Sequence, residues 1–220
     1  VVVAFGVIGK AWRILRLRGI GAFWETVARR FYDRHQSLWF ERRLDETLTL
    51  IGPRFDGRLD FDHPERVREW IARQDIPGLN DAIEIGSMKE RGHYFAGVMN
   101  GDDLIGYIKI GWDRVYILDY GIDLKIPPGD YFIIDIYIDP AGRGLGAGPF
   151  LVSAAALEMK RRGFEGSIMH VRTDKDPMLK TCLRTGYREI GRVDYRSVLG
   201  RRIFRPHPAA LIEAMGRRRP

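Results

Sequence analysis

Apolar positions change period along this chain, and each change marks an element. Ile20, Phe23, Trp24, Val27 and Phe31 recur every three or four residues, the stripe of an amphipathic helix. Gly19 and Gly21 interrupt its upstream end, so two helical pieces are expected there. Thr47–Ile51 alternates and predicts a strand. Asp62-His-Pro-Glu65 reads as a capping box with proline at the first helical position; the helix it opens runs to about Arg73, with Val67, Trp70 and Ile71 inward. Leu79–Arg91 suits a second helix. The period then becomes two. His93–Met99 and Leu104–Trp112 predict strands joined at Asn100-Gly101, the strongest short hairpin signal. Arg114–Tyr120 continues as a strand, and Gly121–Asp130, with Pro127-Pro128-Gly129, is expected to be a loop. Tyr131–Ile138 is a strand of high β-propensity. A helix over about 146–162, a strand Ser167–Val171 and a short helix Met178–Arg184 ending at Gly186 follow. Strands at Tyr187–Tyr195 and Arg201–Arg205 come next, then a helical tail from Pro208 to Met215.

Composition narrows the class. The 220 residues are 45 % apolar and 11 % aromatic, too rich for disorder. Cys182 is the sole cysteine, which excludes a disulfide framework and a cysteine-based zinc site, and no histidine pair has helical metal-ligand spacing, so no metal is expected. The net charge of +7 first suggests a polyanionic partner. It is unevenly spread. Residues 1–43 hold nine Lys/Arg against three Asp/Glu, and residues 196–220 seven against one, so the stretch between them is acidic. Two basic ends on an acidic body suit a cationic substrate better than a nucleic acid, and no nucleic-acid-binding motif accompanies the charge. The apolar run Val1–Gly9 is too short to span a bilayer and lacks a signal-cleavage site; the chain starts without methionine, and missing upstream residues are expected.

The chemistry concentrates in Ile138-Asp-Pro-Ala-Gly-Arg143-Gly144-Leu145-Gly146-Ala147-Gly148, between a strong strand and a strong helix. Glycines allow close backbone approach, the helix start offers unpaired N–H groups, and Arg143 adds a fixed positive charge. The segment reads as a phosphate cradle. No Gly-Lys-Ser/Thr closes it as in a nucleotide-triphosphate loop, and its G-x-G-x-G spacing is not the dinucleotide fingerprint.

Arg143 to Gly148 resembles the R/Q-x-x-G-x-G/A motif of the GCN5-related N-acetyltransferase (GNAT) family, and Ile138-Asp139-Pro140 its V-x-P. The hairpin Ala96–Ile108 and the ending Leu183-Arg-Thr-Gly186-Tyr187-Arg-Glu resemble further parts of the family, and the element order agrees over about 46–206. The resemblance implies an α+β fold with a mixed, mostly antiparallel central sheet flanked by helices. A basic amphipathic helical extension (1–45) precedes this domain (46–206), and a basic tail (207–220) follows it. The resemblance also implies direct acyl transfer from acetyl-CoA to an amine of a small molecule, amino sugar or protein. The backbone of Arg143, Gly144, Leu145, Gly146, Ala147 and Gly148 would hold the CoA pyrophosphate. Ile136 and Ile138 would offer backbone groups to the pantetheine and acyl carbonyl, where a donor stabilises developing charge.

The catalytic candidates are Asp135, Tyr137 and Cys182. Asp135 stands in an otherwise apolar strand, on the face of Tyr137 and Asp139 and opposite Ile134, Ile136 and Ile138. It is either a base and amine anchor or a partner in a cross-strand salt bridge. Tyr137 either lines the acceptor slot or packs. Cys182, four residues before Gly186, holds the place of the tyrosine that protonates CoA thiolate in many family members; a buried small hydrophobe is the competing reading. Lys175 stands where the family often has asparagine. His170 reads as a core histidine or a weaker base. Residues 113–130 form either a solvent loop or an acceptor-site wall. A non-catalytic CoA-binding or membrane-tethered module on the same fold is the alternative function. Residues 10–43 either lie on an anionic membrane surface or pack on the body with a solvated arginine face, a homodimer is compatible with these features, and the cytoplasm, at the inner membrane face if the extension binds lipid, is the expected location.

Overall fold

Alternating β-branched and aromatic residues become strands wherever one face of the sheet has something to cover it. The computed structural model describes residues 32–45, 47–61, 63–73, 93–117, 119–198, 201–208 and 211. The stripe over residues 20–31, the helix expected over 79–91 and most of the expected tail helix lie outside them. In chain order the elements are β1 (Tyr32–Arg43), β2 (Gly57–Asp60), α1 (Pro64–Arg73), β3 (His93–Asn100), β4 (Asp103–Gly111), β5 (Arg114–Ile117), β6 (Ile122–Lys125) and β7 (Asp130–Ile138). A 3-10 turn (Pro140–Gly142) leads to α2 (Ala147–Arg161), β8 (Gly166–Arg172), α3 (Asp176–Arg184), β9 (Arg188–Val198) and β10 (Arg201–His207).

Eight strands form one sheet in the order β10-β9-β1-β8-β7-β4-β3-β2, while β5 and β6 form a separate hairpin. Every neighbouring pair is antiparallel except β7–β8. One side of the sheet buries Ala96, Val98, Ile108, Ile110, Tyr131 and Ile133 against Phe150, Leu151, Val152, Ala155 and Met159 of α2 and Cys182 of α3. On the other side Trp39, Phe132 and Ile168 meet Val115, Ile117, Ile122 and Leu124 of the β5–β6 hairpin, and α1 covers Phe95 and Tyr107. This is the mixed, mostly antiparallel sheet with flanking helices that the sequence predicts.

Three local expectations are corrected. Residues 32–43, assigned by sequence to the helical extension, form β1 in the interior of the sheet, so residue 45 is not where the sheet begins. Trp39 (0 % exposed) and Phe40 (2 %) point to opposite core layers. The exposed Tyr32 and Arg34 on one face of β1 hide this alternation. Thr47–Ile51 is not a strand. The Thr47 hydroxyl donates to Asp45 at 2.5 Å and the Ile51 N–H donates to Ser153 Oγ at 3.0 Å, which holds the segment over α2 with Leu48 buried. The stretch 121–130 is not all loop: Ile122, Leu124 and Ile126 are buried, and β6 pairs with β5 in a hairpin packed on the sheet.

Candidate active site

The site begins where two parallel strands part. β7 pairs with β8 only from Asp130↔Gly166 to Ile133↔Met169. Beyond that point β7 stays with β4, and β8 continues beside β1. A bulge accompanies the divergence: Ile133 lies opposite Ile110 and Asp135 opposite Lys109, which leaves Ile134 as the extra residue. Ile134 therefore packs on the β5–β6 side while Ile136 and Ile138 pack on the α2 side. The strict alternation read from sequence, with Ile134 opposite Asp135, is corrected by this bulge. The gap is a cavity of about 260 Å³ whose wall draws Ile133–Ile136 from β7, Met169–Arg172 from β8, Lys175 and Met178 at the start of α3, and Asp119 between β5 and β6. Its wall draws side chains from both faces of the sheet.

The end of β7 turns backbone groups away from its neighbour strand. The Asp139 N–H donates to the Ile105 carbonyl of β4 at 2.8 Å. Alternation then turns the backbone groups of Tyr137 toward β4 and those of Ile136 and Ile138 away from it, into the gap. Arg143 Nε donates to the Ile138 carbonyl at 3.2 Å, which anchors the arginine beside the loop. Gly144 (φ 78°) and Gly146 (φ 83°) adopt left-handed backbone, and Gly146 caps α2 without a side-chain bond. The Leu145 carbonyl accepts from the Arg54 N–H at 2.9 Å, which ties the loop to the body. Among the described residues no backbone carbonyl accepts from the N–H groups of Gly144, Leu145, Gly146, Ala147 or Gly148. With the positive end of α2 behind them, they form the concavity that a phosphate ester fits.

Asp135 projects to the α1 and β5–β6 side. Tyr107 Oη donates to its Oδ2 at 2.5 Å. Burial pushes the carboxyl above the ordinary aspartate range, opposed by this hydrogen bond, the Ile136 N–H and the Lys109 ammonium. Burial also raises the Tyr107 hydroxyl, and the Asp135 charge adds to the effect. Tyr107 stays protonated as a donor. Tyr137 is not on the cavity wall; its ring packs 5.9 Å from Trp70 and 6.3 Å from Tyr107. Cys182 lies off the cavity wall. It is fully buried, its thiol donates to Met169 Sδ at 3.4 Å, and burial pushes its pKa up to about 12. Its turn of α3 points into the core, while Lys175 and Met178, a turn or two earlier, meet the cavity.

The structure adds residues that sequence reasoning held weakly or missed. Asp119 becomes a wall residue because the segment over 113–126 folds onto the sheet. His170 stacks between Trp39 and Tyr120, each 5.4 Å away, and its pKa falls to about 4 through burial, against the pull of Asp119. Arg172 completes the wall and pairs with Asp174 at 2.8 Å. Only the unusual length of the stretch before the central strand hinted at Asp119; nothing local marked Arg172.

The sequence family described as "Acetyltransferase (GNAT) family" matches residues 28–187. No curated protein matches the chain. Among solved structures, a GCN5-related N-acetyltransferase from Sphaerobacter thermophilus is similar at 12 % identity and TM-score 0.51, covering 83 % of this chain and 57 % of that one. A Drosophila protein is similar at 12 % and 0.51, covering 79 % and 55 %. A functionally unknown conserved protein from Staphylococcus epidermidis gives 12 % and 0.51, covering 79 % and 65 %. These likenesses concern the fold. This chain spans between 55 % and 65 % of the length of those three.

Proposed function

Because the chain belongs to the GNAT acetyltransferase family, we propose that it transfers an acetyl group from acetyl-CoA directly to the amine of a cationic acceptor. The observation that carries this reading is the cavity at the β7–β8 divergence, lined by Asp119, Asp135 and Ile136; β7 runs on from it into the glycine loop, whose own residues lie off the cavity wall. Acetyl-CoA would bring the acyl group as a thioester and a pyrophosphate to be held. The residues present fit it: the N–H groups from Gly144 to Gly148, which no backbone carbonyl among the described residues takes up, and the Arg143 guanidinium match a pyrophosphate, and Ile136 and Ile138 turn backbone groups toward the gap.

Asp119 and Asp135 attract an ammonium group and hold it at the mouth of the gap. Asp135 accepts its proton, because only the neutral amine has a lone pair to form the C–N bond. Burial suits Asp135 to this, since a raised pKa brings the carboxyl nearer that of the group it must deprotonate. Tyr107, through Oδ2, and the Ile136 N–H orient the carboxyl for the amine. As the C–N bond forms the C–S bond breaks, and Lys175 on the cavity wall gives the departing sulfur a proton.

The test is release of CoA thiol across a panel of primary amines, for the intact protein and for Asp135→Asn. The expected result is turnover with at least one amine. In the intact protein kcat/KM falls as pH drops through the raised Asp135 pKa. Asp135→Asn should lower kcat/KM by about 10²–10⁴-fold, lose that acid limb, and bind CoA unchanged. Unaltered rate and pH profile in Asp135→Asn, or no thiol release with any amine, overturns the proposal.

A further inference from the structure

The three strands at one end of the sheet carry charge that acyl transfer does not use. In antiparallel pairs directly opposed residues share a face. The registers of β1, β9 and β10 then sort their side chains into two sets. Asp33, His35 and Ser37 of β1 face inward with Val193, Tyr195 and Phe204, where His35 stacks on Tyr195 at 4.5 Å. The outward set holds Arg34, Arg192, Arg196, Arg201 and Arg205, all exposed, with Asp194 and, further along opposite Phe40, Glu189 as its carboxylates. Asp194 is already engaged: it accepts from Gln36 at 2.8 Å and lies 3.1 Å from His207. None of the five arginines forms an ion pair among the described residues.

Arg34 and Arg196 lie directly opposite each other. Like charges at such a position, about 5 Å apart at Cβ, destabilise a sheet unless an anion lies between them. Charged side chains often blunt an edge strand against aggregation, which would account for Arg201 and Arg205 on β10. It does not account for Arg34, Arg192 and Arg196, which stand on interior strands. Two half-exposed apolar side chains, Tyr32 (48 %) and Ile203 (45 %), share this face, and the Arg196 guanidinium lies 5.4 Å from the Tyr32 ring. The chain enters β1 from residues 1–31, which hold six Lys/Arg against one Glu, and leaves β10 into residues 208–220, with Arg217, Arg218 and Arg219 against Glu213.

We infer that the outward face of β1, β9 and β10 docks the protein on an anionic lipid surface. A sheet face is flat, roughly 10 Å by 20 Å here, and bilayer headgroups present phosphates in a plane that several arginines can reach together. Tyr32 and Ile203 suit the apolar boundary beneath the headgroups. A second copy of the chain is disfavoured by repulsion between the two sets of arginines. A nucleic-acid groove calls for a protruding element, which this face lacks among the described residues.

The test is co-sedimentation of the full chain with vesicles of phosphatidylcholine alone or mixed with phosphatidylglycerol, at several salt concentrations, for the intact protein and for Arg34→Gln/Arg196→Gln/Arg205→Gln. Expected is salt-sensitive binding to the mixed vesicles only, weakened roughly 100-fold in the triple glutamine variant at an unchanged melting temperature. The triple lysine variant should retain binding, since position of charge rather than fork geometry matters on a fluid surface. Equal binding by the intact protein and the glutamine variant would assign lipid contact to the flanking segments and overturn the inference. Tighter binding to a DNA or RNA duplex than to the mixed vesicles overturns it too.

Discussion

Replacing Gly144 with alanine isolates one variable, because a Cβ there meets nothing within 4 Å and the only penalty is backbone. At φ 78° an L-residue is less favourable than glycine by about 1–2 kcal/mol. That cost has two places to appear. If the loop keeps its conformation, the folded state is destabilised by about that amount and CoA affinity is unchanged. If the free loop relaxes to negative φ, its N–H groups no longer converge, stability is spared, and binding must restore the strained form, weakening CoA roughly 5- to 30-fold. The two losses together should total about 1–2 kcal/mol. Gly52→Ala is the control, since its Cβ also meets nothing and its backbone is not left-handed. Calorimetric titration with CoA and denaturant unfolding, run on both variants, check the total. Wild-type affinity together with wild-type stability in Gly144→Ala would refute the geometry argued for the loop.

Two further outcomes concern buried groups. His170 has a folded-state pKa of about 4 against 6.5 when unfolded, so the unfolded chain binds the extra proton between those values. The stability that neutral His170 contributes is complete above about pH 6.5 and is lost as pH falls toward 4. His170→Gln should flatten that slope, worth roughly 1–3 kcal/mol, in denaturant unfolding at different pH values; an imidazole resonance titrating near 6.5 in the intact protein would contradict this. Cys182→Ala should keep acetyl transfer while lowering stability by about 1 kcal/mol, and the native thiol should resist modification, given its complete burial. A large loss of kcat at unchanged stability would return Cys182 to the catalytic set.

The glycine loop and the strand before it were legible locally. Left-handed turns demand glycine, and the helix after it starts where glycine and proline allow, so Gly144, Gly146 and the onset of α2 follow from neighbours along the chain. The hairpin at Asn100-Gly101 and the termini of β7 were readable for the same reason. Distant partners set the rest. β1 is a strand because β8 and β9 flank it, and its mixed polar residues make sense only once one face is known to be buried and the other exposed at Tyr32 and Arg34 before it too enters the core at Phe40. The bulge at Ile134, which turns both Ile134 and Asp135 to the acceptor side, arises from register with β4. Asp119 reaches the cavity because β6 pairs with β5 and lays the hairpin on the sheet. Cys182 and Lys175 exchange importance through the rotation of α3 against its core. Residue type and spacing thus specified the cradle and the strand behind it, where the interactions are local. Which side chains line the gap, and which arginines share a face, followed from pairings between residues far apart in the chain, as Tyr32 and Val198 are, and no local pattern encodes those.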